Sequence, residues 1–170
     1  TDPATGQIKT RSPTTVSGFE MAGAIQHDTV ETVNLTAGDA GTTLMIDGTA
    51  DYAVTNVWSG DGPDVINVRD TSGAVNLHLQ SDDDFVNVGT EAPGIGGTLN
   101  QIGELITVKG GSGLDVLNLD DTSDDQLNSG AIAAKTIQGF GMGAGVFYEE
   151  LESLEISLGQ GVDSVAVTGS

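Results

Sequence analysis

Residues 109–121 read KGGSGLDVLNLDD, and residues 110–118 within them, GGSGLDVLN, fit the nonapeptide G-G-x-G-x-D-x-U-x, with U an aliphatic residue. A tight glycine turn is followed by one Asp and then by a short apolar strand, so the glycines open a strand and not a helix. The arrangement recurs. Residues 60–68 (GDGPDVINV) and 159–167 (GQGVDSVAV) both read G-x-G-x-D-x-U-x-U, residues 81–88 keep the Asp and the strand but lose the glycines, and residues 38–46 carry Thr42 where Asp163 stands.

Working outward, the remaining strand signals are also short: residues 75–79, 85–88 and 105–108 are β-branched or aliphatic and are bounded by Gly, Asp, Ser or Thr. Only residues 146–154, with Glu149, Glu150 and Glu152, have some helical character, and the next five residues alternate cleanly. An all-β chain is predicted. Within the strands after each Asp, Ile66/Val68, Val86/Val88, Leu117/Leu119 and Val165/Val167 fall on one face and are expected in the core. Asn67, Asn87 and Asn118 then point the other way and can form a ladder from strand to strand.

The chain also resembles itself at long range. Residues 15–49 lie on residues 136–170 without a gap, an offset of 121 residues (Thr136 against Thr15). Thr15, Gly18, Phe19, Met21, Glu31, Gly38 and Gly48 meet identical residues, and pairs such as Val16/Ile137, Ile25/Val146, Leu44/Val165 and Ile46/Val167 keep apolar against apolar. Residues 1–170 therefore read as one continuous fragment of a repeat array, with residues 15–135 as one unit and 136–170 as the start of the next. The first residue, Thr1, suits a processed or excised fragment.

From Asp64 to Asp84 there is room for a strand, a turn at Asp70-Thr71-Ser72-Gly73, a second strand and a return, which is one coil of about 20 residues. The longer step from Asp84 to Asp115 is explained by an inserted loop at residues 90–103. The expected fold is a parallel β-solenoid of the β-helix or β-roll type. The alternative is a set of tandem calcium-braced β-sandwich repeats, which a unit of this length would also suit.

The full match at 110–118 and the partial ones at 59–67 and 158–166 resemble the RTX (repeats-in-toxin) nonapeptide family, and more closely the Gly/Asp-rich repeat regions of large secreted bacterial surface proteins and adhesins. The resemblance implies a parallel β-roll with Ca²⁺ held between successive turns. The spacing departs from the family, whose turns recur every nine residues, so the calcium chemistry is read separately from these residues. Ca²⁺ takes six to eight hard oxygens, and short Asp side chains on neighbouring turns can supply them. The candidate ligands are Asp61 and Asp64 facing Asp82 and Asp84, then Asp115, then the acidic turn of Asp120, Asp121 and Asp124, and Asp163.

Charge narrows the functions. Acidic residues number 25 against 5 basic ones, 17 of them Asp, and the net charge of −20 repels nucleic acid and anionic membrane surfaces. The apolar runs are too short to insert in a membrane. No Cys is present, which removes thiol nucleophiles, disulfides and zinc-thiolate sites. His27 and His78 stand without a nucleophile pattern, so no catalytic residues are expected. The reading is a non-enzymatic, calcium-stabilised structural repeat module of an extracellular fibre, adhesin or surface layer. Its partners are copies of itself or adjacent repeats end to end, and extracellular polysaccharide. The rival is a β-helix polysaccharide lyase or hydrolase, or a carbohydrate-binding module, against which the few basic residues and the single Trp58 argue.

Overall fold

The structure, a computed structural model, describes residues 8–12, 14–18 and 21–169. Among them there are strands and no helix. The N-terminal strands are β1 (Ile8–Ser12), β2 (Thr15–Ser17), β3 (Ile25–Gln26), β4 (Thr32–Thr36) and β5 (Thr43–Ile46). A central group follows: β6 (Val54–Trp58), β7 (Val65–Val68), β8 (Val75–Ser81), β9 (Phe85–Val88), β10 (Ile106–Ser112) and β11 (Val116–Asp120). The last five are β12 (Ser129–Ala133), β13 (Thr136–Gly139), β14 (Val146–Glu149), β15 (Ser153–Ser157) and β16 (Ser164–Thr168).

Two eight-stranded sheets result. The first runs β15-β11-β9-β7-β5-β1-β2-β3 and the second β16-β12-β13-β14-β10-β8-β6-β4, so from β4 to β11 successive strands enter alternate sheets. Alternation of side chains does the rest: Ile66, Val68, Val86, Val88, Leu117 and Leu119 of the first sheet pack in one cluster with Val75, Leu77, Leu79, Ile106 and Val108 of the second. Each such buried side chain contributes roughly 1.5–3 kcal/mol of transfer free energy. Val165 and Val167, expected in that core, are instead exposed, and among the described residues β16 is an edge strand of the second sheet.

The glycines of the opening motif are demanded by how closely the turns stack. Gly111 and Gly113 have φ of 112° and 147°. A Cβ at Gly111 would collide with the carbonyl of Gln80, and one at Gly113 with that of Asp82.

The expected parallel β-solenoid of uniform coils is corrected by the pairing, which is mixed. The second sheet has a five-stranded parallel run, β14-β10-β8-β6-β4, but β12–β13, β13–β14, β1–β2 and β2–β3 are antiparallel. The cause is local. Only Ala134 and Lys135 separate β12 from β13, too short a link for anything but a hairpin. Gly139, Phe140, Gly141 and Gly145 all take positive φ and turn the chain back again into β14. Nor is the step uniform: stacked turn residues are 22, 20, 31 and 37 positions apart. The tandem sandwich alternative is corrected as well, since ten of the fourteen strand pairs among the described residues are parallel. Residues 146–154 hold β14 and the start of β15, with no helical turn.

Two asparagine ladders cross the sheets. Asn87 Nδ2 donates to Asn67 Oδ1 at 3.0 Å and Asn118 Nδ2 to Asn87 Oδ1 at 3.5 Å. In the second sheet Asn76 donates to Asn56 and Asn56 to Asn34, each at 2.8 Å.

The 121-residue offset has a structural counterpart in strand register. In β1–β2, Thr10 pairs with Ser17 and Arg11 with Val16; in β12–β13, Ala131 pairs with Gln138 and Ile132 with Ile137. Thr15 and Val16 pair with Gln26 and Ile25, as Thr136 and Ile137 pair with Phe147 and Val146. Ile8 pairs with Thr43 as Ser129 pairs with Ser164. Two turn positions agree too, Gly18 and Gly139 both with φ of 84° and Thr29 and Glu150 with 57° and 58°, whereas Gly145 and Gly169 take positive φ and their counterparts Ala24 and Gly48 do not. Phe19, the counterpart of Phe140, lies outside the described residues. The equivalents occupy opposite sheets, β1, β2, β3 and β5 in the first and β12, β13, β14 and β16 in the second, with β4 and β15 exchanged in the same way.

Candidate functional site

Asp64, Asp84 and Asp115 each stand just before a strand of the first sheet, and each carboxylate reaches back to the turn stacked next to it, whereas Asp163 precedes β16 of the second sheet. Asp64 Oδ1 accepts the Thr42 N–H at 2.6 Å, Asp84 Oδ1 accepts the Asp64 N–H at 2.7 Å, and Asp115 Oδ1 accepts the Asp84 N–H at 3.1 Å. Glu152 Oε2 then accepts the Asp115 N–H at 2.8 Å. The result is a column of acids running through the interior edge of the turns. Asp64, Asp84 and Asp115 are fully buried. Each satisfies a backbone donor that a strand start leaves unpaired, which is why a short acid is needed at this position.

Stacking concentrates negative charge. Burial, followed by the charges of Asp64, Asp115 and Asp82, pushes the Asp84 carboxyl up to about 7 despite the Asp64 N–H that it accepts. Burial, then Glu152 and Asp83, raises Asp115. One buried oxygen on each, Asp84 Oδ2 and Asp115 Oδ2, has no hydrogen-bond partner.

A second acidic group clamps the inserted loop. Asp120 Oδ2 accepts the Gly97 N–H at 2.7 Å while its Oδ1 accepts the Thr122 hydroxyl at 2.7 Å, and Asp121 Oδ1 accepts the Leu99 N–H at 2.9 Å. Asp124 Oδ1 takes the Gln126 N–H, and its Oδ2 takes the side-chain amides of Asn100 and Asn128. Burial would raise Asp120, but the Thr122 hydroxyl and the N–H groups of Gly97, Thr122 and Gly96 hold it below the usual carboxylate range. Hydrogen bonds, first from the Gln126 N–H, hold Asp124 down as well. Asp121 goes the other way, pushed up to about 6 by burial and by Asp124, Asp163 and Asp120.

The remaining candidates are more dispersed. Asp61 is exposed and accepts the Ser81 hydroxyl at 2.6 Å, Asp82 sits on an exposed turn at φ of 75°, and Asp163 Oδ1 accepts the Asn128 N–H at 3.2 Å. Asp83, not singled out in the sequence, accepts the Leu114 N–H at 2.9 Å. Glu152 was also missed, because it follows no glycine turn; its alignment with Glu31 was the one available signal. The structure therefore brings Asp64, Asp84 and Asp115 into one column and Asp120, Asp121 and Asp124 into one clamp. Among the described residues no group of three or more acids or histidines converges as a metal cage. For Ca²⁺ the fit is partial: the column offers one spare buried oxygen at Asp84 and one at Asp115, the other being committed to backbone.

Elsewhere on the second sheet, Trp58 stacks on His78 with ring centroids 5.2 Å apart and an interplanar angle of 4°. Lys109, Gln80 and Glu150 border the same shallow recess. Lys109 and Lys135 both pair with Glu149, and Arg69 with Asp47. No family model, no curated protein and no solved structure matches the chain.

Proposed function

We propose that this chain is a structural repeat module, without catalytic activity, of an extracellular fibre, adhesin or surface layer. The observation that carries the reading is the repetition of strand register: β1, β2, β3 and β5 recur as β12, β13, β14 and β16 with the same pairings among themselves, and the turn angles at Gly18 and Thr29 recur at Gly139 and Glu150. A unit repeated in register buries its apolar strands only against further strands, so stability comes from stacking and the natural partner is another unit end to end. The strong negative charge keeps such an array soluble. The lyase, hydrolase or carbohydrate-binding alternative finds one supporting feature, the Trp58–His78 stack, but the nearby Lys109 is paired with Glu149 and so is poorly placed to hold an acidic sugar. The test is immunogold labelling of the cells that make the protein. Label on the outer surface or on shed fibres is the expected result, and label confined to the cytosol would overturn the reading.

Calcium belongs to the proposal. The spare buried oxygens of Asp84 and Asp115 and the concentrated charge around them are the support for a divalent cation along the column. Adding EDTA at neutral pH should then lower the melting temperature by several degrees. Ca²⁺ should restore it, and Mg²⁺ should do so less, because it demands a compact octahedral shell. Superimposable melting curves with and without EDTA would remove calcium and leave the proton as the column's only neutraliser.

A further inference from the structure

Among the described residues, the open edges of the two sheets lie at opposite ends of the strand order: β3 and β4 at one end, β15 and β16 at the other. The internal repeat states what each of these edges does when it is covered. β14 and β15 are the equivalents of β3 and β4, and their corresponding edges are paired with β10 and β11. β4 and β5 are the equivalents of β15 and β16, and theirs are paired with β6 and β7. Burial follows the same rule. Ile25 of β3 is 56% exposed, whereas its equivalent Val146 is 1%. Val165 and Val167 of β16 are 41% and 74% exposed, whereas their equivalents Leu44 and Ile46 are 2% and 0%.

Resting on the repeat-module reading, we infer that the β15–β16 end of one copy is the docking surface for the β3–β4 end of a second copy. Direction permits it in both sheets at once. β3 is two antiparallel pairings away from β1, which runs parallel to β5 and so to β15. In the other sheet β16 is parallel to β12, two antiparallel pairings from β14, which runs parallel to β4 through β10, β8 and β6. Seating β3 against β15 and β4 against β16 therefore extends each sheet by a parallel pair, satisfies four rows of unpaired backbone groups, and covers Ile25, Val165 and Val167. The two surfaces are different, so the contact is heterologous and does not close on itself.

The test uses the whole chain and two variants, Val167→Asp and Ile25→Asp, each placing a charge on one end only. Both positions are exposed, so at a dilution where the wild type is monomeric the melting temperatures should stay at the wild-type value; Val165→Asp serves in place of Val167→Asp if that variant unfolds. In sedimentation velocity the wild type should show a concentration-dependent series beyond the dimer, and each variant alone should stay monomeric. An equimolar mixture of the two should give dimers and nothing larger, since one sound end of each kind remains. A wild type that stays monomeric, or stops at a dimer, or a mixture that grows past the dimer, would overturn this surface. The immunogold result stands apart from all three outcomes.

Discussion

Lowering the pH from about 8 to about 5 in EDTA should raise the melting temperature of this chain, the opposite of what a surface rich in ion pairs would do. The cause is the acid column. A carboxyl whose folded pKa is raised holds its proton more tightly folded than unfolded, so its stabilisation is complete below the unfolded value near 4 and is lost as the pH rises through the folded value. For Asp84 that loss runs from about 4 up to about 7, and for Asp121 from about 4 up to about 6. One pKa unit corresponds to about 1.4 kcal/mol, which bounds the Asp84 contribution at roughly 4 kcal/mol. Below about pH 4 the trend should reverse, as Asp120, Asp124 and Glu149, all held low by hydrogen bonds or by Lys135 and Lys109, lose their charge. Asp84→Asn keeps the acceptor for the Asp64 N–H and deletes the charge. It should stabilise the chain at pH 8 and flatten most of the slope between pH 5 and 8. A wild-type melting temperature that falls steadily from pH 8 to 5 would show that the column does not hold protons.

Phe140→Ala should cost about 3–5 kcal/mol and lower the melting temperature by roughly 6–20 °C, taking 2–4 °C per kcal/mol for a chain of this size. Phe140 is completely buried, and its ring lies on Gly130, where any Cβ would collide with it. It belongs to the same cluster as Ile137, Met142 and Val146. The ring fills the place where β12, β13 and β14 leave the parallel pattern, so its removal opens a cavity. Phe85, 47% exposed, is the control, and Phe85→Ala should change the melting temperature by only a few degrees. Equal effects at the two positions would contradict the packing described for the hairpin.

The strands were legible because two signals coincide in them: alternation of β-branched and aliphatic residues, and Gly or Asp at each end. The buried pairs Ile66/Val68, Val86/Val88 and Leu117/Leu119 follow from that alternation alone. Direction was not legible. Whether β13 returns beside β12 or crosses to the other sheet is decided by Ala134 and Lys135, which carry no apolar pattern to read. The exposure of Val165 and Val167 was equally hidden, since it belongs to an open sheet end and not to their own strand. The acids were legible only in part. Nothing in the sequence showed that Asp64, Asp84 and Asp115 each commit one oxygen to a backbone N–H of the neighbouring turn, because that contact depends on how the turns stack. Asn34, Asn56 and Asn76 sit at the middle of TVNLT and VTNVW and near the start of VNLHLQS, a visible signal for the second ladder that only the register of β4, β6 and β8 turns into contacts.

Electron microscopy of the wild-type chain at high concentration tests most directly the claim that this is a unit built to stack. Rods of one constant width, growing only in length and absent from samples of Val167→Asp, are the predicted result. Uniform compact particles whose size does not change with concentration would contradict it.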